Sequence, residues 1–310
     1  MELGIVLSGH TDVVAEARLA ESLGLSHVAA GEHVFFTGPT SNAFVTLAAA
    51  AAATTSVRLV STVTLLPLYP VPLAAKLAAT VDRISGGRFN LGIGVGGESA
   101  AEFAACGVPV AERGARTNEA LLLLEKLFTG EPITFHGRYT EVSGLALQPT
   151  PVQRPRPPVW IGGRSEAAMR RAAEHGDVWM PYMYTPDMLA TSLHRIRDMT
   201  TTAGRPPVTG AVFTWLAVDH DATHARHVAE AKLAAVYRQN TDRLLDRYVP
   251  TGDPSQVAAR LREYATAGAD HVICALACPD NARPAMIELL AKEVWPLLRS
   301  SACPELGSDT

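Results

Sequence analysis

The stretch LGIGVGGESAAE, residues 91–102, decides how the rest of the chain is read. Gly92, Gly94 and Gly97 match G-x-G-x-x-G, the fingerprint of a dinucleotide-binding turn between a strand and its helix. Such a turn needs a helix packed directly behind the third glycine. It also needs an acidic residue about twenty positions on, at the end of the next strand. Neither is present. Only about two helical turns fit between Glu98 and the breakers Gly107 and Pro109. The acid at the right spacing, Glu119, falls inside a helix-period segment. The run therefore reads as a strand whose terminal glycines bring backbone close to a flat ligand.

Working outward, short apolar runs alternate with helix-period segments, the pattern of repeated βα units. Strands are expected at 3–7, 27–31, 57–66, 88–95, 158–162, 177–181, 208–218 and 270–276. Helices are expected at 12–23, from about 42, from Pro70–Pro72 to near Arg83, and at 113–128, 165–175 and 186–202. Two more helical stretches lie near 222–248 and 254–267, and a closing helix runs to Arg299. Residues 133–142 alternate around a His-Gly pair and suggest a small β-hairpin inserted between units. The proline-dense QPTPVQRPRPP reads as a linker or as an ordered approach to the fifth strand; the immediate return of the βα rhythm favours the second. Eight strands, each followed by helix, is the count of a (β/α)8 TIM barrel with insertions. A doubly wound sheet is the alternative, since alternation alone does not close a barrel. Residues 1–300 are expected to be a single domain, and 301–310 a poorly ordered tail.

The 310 residues are 47% hydrophobic and 19% charged, as in a globular protein with a large core. A net charge of −4 gives no footprint for nucleic acid or a membrane surface. The amino terminus lacks the basic region of a signal peptide, and Arg58 and threonines interrupt the alanine-rich stretch well short of a membrane span. A cytoplasmic protein is expected. Four scattered cysteines do not make a disulfide framework. Cys274 and Cys278 have no histidine at zinc spacing, so no metal site is expected.

In a barrel, chemistry belongs to the carboxyl ends of the strands. That rule selects Ser8 and His10, Glu32 and His33, residues 65–69, 94–98, 162–165 and 181–184. Glu32-His33 is the sharpest acid/base candidate, because a neighbouring carboxylate tunes a histidine near neutral pH. A histidine that merely satisfies loop carbonyls is the alternative. Gly162-Gly163-Arg164-Ser165 opens a helix with two glycines, a cation and a capping hydroxyl, which suits a phosphate. His136 and His175 read as structural. No lysine stands at a strand end for Schiff-base chemistry.

The runs EHV, LAAKLAATVDRISGGRFNLGIGVGG, GVPVAERGARTNEALLLLEKLFTGEPITFHGRY and QPTPVQRPRPPVWIGGRSEAAMRRAAEHGDVWMP together resemble the bacterial luciferase-like flavin- and deazaflavin-dependent oxidoreductases. The resemblance covers about residues 3–181 closely. It implies a (β/α)8 barrel, usually homodimeric, binding its ring system at the carboxyl ends of the strands and acting on a small molecule. It places Thr62 and Val63 at a non-prolyl cis peptide behind the ring and Gly94, Val95 and Gly96 along the ring. Gly162, Gly163, Arg164 and Ser165 fall at the phosphate, and His33, oriented by Glu32, near the reactive ring atom. Coenzyme F-420 is the cofactor favoured by PVAERGARTNE and by the single histidine of GEHVF. Val34 stands where luciferase-type monooxygenases place a second histidine; FMN with oxygen is the alternative. Thr37 replaces a tryptophan of the sugar-phosphate-oxidising branch. A flavin-binding barrel without catalysis is a further alternative.

Overall fold

The expected strands become the staves of a closed barrel. In the computed structural model, which describes residues 1–10, 12–237 and 241–300, they are Glu2–Val6, His27–Ala30, Arg58–Ser61, Phe89–Gly94, Val159–Gly162, Val178–Met180, Thr209–Val218 and Ala269–Leu276. Each pairs in parallel with the next, and Ala269–Leu276 returns to pair with Glu2–Val6. A doubly wound sheet would have two open edges, so closure excludes it.

Strand alternation sorts residues to the two faces of the wall. Ala29, Val60, Trp160, Val178, Met180, Ala211 and Ile273 fill the interior with Val6, Val63 and Phe213. Their neighbours in sequence, such as Val28, Leu59 and Ile161, pack outward against the helices. Five of the first seven helices start where a side chain satisfies a first-turn N–H, which no helix can do for itself. Asp12 caps α1 (Val13–Ser22), Asn42 caps α2 (Ala43–Ala53), and Pro70 precedes α3 (Val71–Ile84). Ser99 caps α4 (Ala100–Ala105), α5 is Arg113–Leu127, and Ser165 caps α6 (Glu166–His175). Thr185 caps α7 (Pro186–Thr202).

Residues 57–66 are not one strand. The strand stops at Ser61, the Thr62–Val63 peptide is cis, and Thr64–Leu65 then pairs with Ile93 and Gly94. The hairpin is Ile133–His136 against Glu141–Leu145, and Glu119 on α5 braces it by accepting the N–H groups of Arg138 and Tyr139 at 2.6 and 3.0 Å. The acid that failed as a ribose ligand thus has a structural role. Buried Asp82 on α3 accepts from the Val152 and Gln153 N–H groups at 2.6 and 3.0 Å, so the proline-dense segment is an ordered approach. The expected helical stretch 222–248 is α8 (Ala222–Tyr237) and α9 (Asp242–Tyr248). α10 (Pro254–Thr266) and α11 (Arg283–Leu289) flank the last strand, and the expected tail, 301–310, lies outside the described residues.

Glu21 ties α1 to the entry of the third strand. Its Oε1 accepts the N–H groups of Thr55, Ser56 and Val57 and the Ser56 hydroxyl. Partial burial raises its pKa, but these donors outweigh that effect and hold the carboxyl at about 2, below the ordinary 4.5. A depressed carboxyl contributes stability that is full above its unfolded value and is lost as pH falls through its folded one. Glu21→Gln is therefore expected to flatten the fall of Tm between pH 4.5 and 2. An unchanged acid limb in a melting series would rule the contribution out.

Candidate active site

The second strand ends at Ala30, and Gly31-Glu32-His33 carries the chain over the barrel mouth. Glu32 is buried. Its Oε1 accepts from the Leu65 N–H at 2.8 Å, and its Oε2 from the Ala43 N–H at 3.1 Å, the Tyr69 hydroxyl at 2.9 Å and Asn42 Nδ2 at 3.1 Å. Burial pushes the Glu32 carboxyl up, and these donors oppose it. Burial and the Glu32 charge together push the Tyr69 phenol up as well. Glu32 therefore joins the start of α2 to the exit of the third strand. It does not orient His33, contrary to the sequence expectation, because its acceptor sites are taken by backbone and by Tyr69.

The carboxylate that holds His33 is Glu102 on α4. His33 Nδ1 lies 3.1 and 3.3 Å from its two oxygens. Glu102 is 1% exposed and also accepts the N–H groups of Val34 and Phe35 at 2.6 and 3.1 Å. The Phe36 ring stacks on the imidazole at 4.3 Å. A carboxylate oxygen accepts, so His33 donates through Nδ1 and its Nε2 faces away from Glu102. Nε2 has no partner among the described residues, and the side chain is 19% exposed. An imidazole oriented at one nitrogen by a buried carboxylate and open at the other is a group that exchanges protons. The loop-carbonyl alternative is excluded by this pairing.

A wall stands beside it. Val63 packs against both glycine positions: a Cβ at Gly94 would lie 2.2 Å from Val63 Cγ2, and one at Gly162 would lie 3.0 Å from Val63 Cγ1. Val95 and Gly96 are partly exposed at the strand end, Gly96 with φ +59°. Thr62 Oγ1 and Thr64 Oγ1 are buried without a hydrogen-bond partner, polar atoms suited to a ring edge rather than to the barrel lining. Gly163, at φ +114°, turns the chain into α6, where a Cβ would press on Ala168 at 3.0 Å. Arg164 and Ser165 are exposed at that helix start, and the Ser165 hydroxyl accepts from Ala168 N–H. The first-turn amides and the Arg164 guanidinium fit an anion. These residues match what a flavin-like ring and a phosphate require.

Three residues of the mouth were not singled out by sequence. Glu102 follows Ser99 at capping-box spacing, which reads as local capping; only its 69-residue reach to His33 shows otherwise. Trp215 donates through Nε1 to the hydroxyls of Tyr182 and Tyr237 at 2.7 and 3.1 Å. Burial pushes the Tyr237 phenol up, helped by Glu98 and opposed by Arg164. His10 is tied to Asp280 and to the Ser8 carbonyl, each at 2.9 Å. His136 and His175 pair with Glu141 and Glu125. A cleft of about 300 Å³ opens over Glu32, His33, Leu65, Tyr69 and Cys106. A larger hollow of about 520 Å³ between α8 and α11 contains none of them.

Among the described residues no helix is long and apolar enough to cross a membrane. Uncharacterised proteins of Mycobacterium tuberculosis and Mycobacterium bovis are each 34% identical to this chain over 176 residues, covering 56% of it and 60% of them. The chain thus aligns with about three fifths of the length of these curated relatives. Among solved structures, monooxygenase RslO1 from Streptomyces bottropensis is 25% identical with a TM-score of 0.86, covering 96% of this chain and 99% of that one. A coenzyme F-420-dependent secondary alcohol dehydrogenase shares the fold at 21% identity, TM-score 0.83, covering 96% and 99%. So does the coenzyme F-420-dependent tetrahydromethanopterin reductase of Methanopyrus kandleri, at 20% identity, TM-score 0.80, covering 95% and 98%. The family model described as luciferase-like monooxygenase matches residues 4–271, from the first barrel strand into the last. With that match on a closed eight-stranded barrel, the chain belongs to the luciferase-like monooxygenase family.

Proposed function

We propose that this chain is an oxidoreductase that transfers a hydride between coenzyme F-420 and a small organic substrate at the carboxyl-terminal mouth of the barrel. The observation that carries the reading is His33, held at Nδ1 by buried Glu102 and open at Nε2. Thr62, Val63, Gly94, Val95 and Gly96 would border the ring; Gly162, Gly163, Arg164 and Ser165 would hold the phosphate. When bound, the deazaflavin supplies a hydride-carrying carbon that reacts poorly with oxygen. Val63 gives a flat apolar backing that excludes water. Arg164 and the α6 amides offset the anion's charge. His33 Nε2 gives or takes the proton that accompanies the hydride, and Glu102 stabilises the charged imidazole.

The preference for a deazaflavin rests on Val34, which follows His33 where a second histidine would favour oxygen chemistry. A second reading, an FMN-dependent monooxygenase, takes its reaction from the likeness to monooxygenase RslO1 and its cofactor from the family resemblance. Parallel binding titrations decide between them. Coenzyme F-420 is expected to bind at least about tenfold more tightly than FMN, a difference of about 1.4 kcal/mol. Preferential FMN binding with oxygen consumption on reduction would replace the first reading by the second. Stoichiometric binding with no turnover of either reduced cofactor would favour a non-catalytic barrel. Homodimeric assembly rests on the family resemblance and is checked by light scattering.

A further inference from the structure

The opposite end of the barrel gathers chemistry-bearing side chains that the proposed reaction does not use. Glu2 and His27 open the first and second strands, and His271 is the third residue of the last. Parallel register sets Glu2 opposite His271 and Gly4 opposite His27, so three adjacent strands supply the cluster. Gly4 makes the room, since a Cβ there would stand 2.6 Å from His27 Cβ. Trp160 lies against both imidazoles, with ring centroids 5.6 Å from His27 and 4.9 Å from His271.

Glu2 Oε2, His27 Nε2 and His271 Nδ1 all lie within 4.8 Å of one another. The carboxylate oxygen is 3.7 Å from the His27 nitrogen and 3.1 Å from the His271 nitrogen. A tetrahedral ion with bonds of about 2.0–2.1 Å keeps its donors roughly 3.3–3.4 Å apart, a value these two distances bracket. All three atoms are buried, and apart from their contacts with one another they have no polar partner among the described residues.

The tautomer of His27 is decided next door. The Ser26 hydroxyl donates to the Leu3 carbonyl at 2.7 Å, so it accepts from His27 Nδ1 at 3.0 Å. Nδ1 then carries the ring proton, and Nε2 points a bare lone pair at the Glu2 carboxylate. His27 is fully buried, so this lone pair has no solvent to satisfy it. A lone pair and a carboxylate oxygen facing each other in a buried space repel. A cation between them converts the repulsion into two bonds. A hydrogen bond from the other ring nitrogen, as Ser26 provides, is the usual support of a metal-bound histidine.

We propose that Glu2, His27 and His271 bind one divalent transition cation of the zinc class, with Glu2's half-exposed side leaving a further position to solvent. Two imidazoles and one carboxylate suit Zn2+ or Co2+ rather than Mg2+ or Ca2+. The site lies at the barrel face associated with stability rather than chemistry. It also joins the first strand to the last, so the ion fastens the seam where the barrel closes.

Metal-stripped protein titrated with Co2+ should take up one equivalent with visible d–d absorption. Zn2+ should displace it and raise Tm. Glu2→Gln and His271→Asn alter partly exposed side chains, and each should weaken Zn2+ binding by more than about tenfold. Ser26→Ala should weaken it by roughly 10–100-fold, the usual cost of losing a supporting partner. Cofactor binding at the far mouth should be unchanged in all three. Absence of stoichiometric Co2+ or Zn2+ binding would overturn the proposal. So would binding that survives both ligand variants, which would place the ion on surface histidines.

Discussion

Replacing His33 with alanine is expected to lower kcat by roughly 10²–10⁴, the usual worth of a positioned acid or base. The test is run with whichever cofactor the titrations select and any substrate the wild type turns over. Cofactor Kd should stay within a few-fold, because the wall and phosphate cradle are built from other residues. Added imidazole should restore part of the rate, a result that a purely structural histidine would not give. Glu102→Gln should also lower kcat strongly, by roughly 10² or more, since a neutral partner neither fixes the tautomer nor stabilises the imidazolium. Imidazole should not rescue that variant. If His33→Ala keeps turnover within a few-fold of wild type, His33 moves no proton in the rate-limiting chemistry.

The second large effect concerns the opening glycine of the motif. An alanine at Gly92 would place its Cβ 1.8 Å from the Ser61 carbonyl oxygen and 2.9 Å from the carbonyl carbon. The obstacle is the backbone of the adjoining strand. Ser61 is pinned there, accepting the Gly92 N–H and donating to the Gly92 carbonyl, each at 2.8 Å. Ordinary overpacking costs about 1–3 kcal/mol. A clash that must separate two barrel strands should exceed about 4 kcal/mol and leave little soluble protein. Gly94→Ala is the contrast, since it meets only the Val63 side chain, which can rotate. That variant should fold and bind cofactor more weakly. A Gly92→Ala protein melting within about 3 °C of wild type would refute the argument, since a loss above 4 kcal/mol moves Tm further.

These glycines show why the fingerprint was both informative and misleading. Gly92 is demanded by strand-to-strand approach, Gly94 by Val63, and Gly97 by a backbone φ of +113°. Each requirement is real, and none is a pyrophosphate. Spacing alone does not separate the three causes, because glycine answers all of them in the same way. The missing helix and acid did separate them, and both are properties of local sequence.

Local properties were legible throughout. Apolar period, helix starts near Asp12, Asn42 and Pro186, and the Gly-Gly-Arg-Ser helix start depend on residues a few positions apart. The strand-end position of His33 follows from the same alternation. The sequence by itself therefore determined the repeated βα units and the strand ends that carry Glu32-His33 and Gly-Gly-Arg-Ser. The tertiary structure alone decided closure, through the pairing of the last strand with the first. It also decided which carboxylate meets which partner. Glu32 sits beside His33 in sequence yet turns to Leu65, Ala43 and Tyr69, while Glu102 arrives on α4 to take the imidazole. Glu2, His27 and His271 share no readable spacing and meet only at the closing seam. A buried carboxylate takes the partners whose N–H and O–H groups face it, and that direction exists only once the strands have closed.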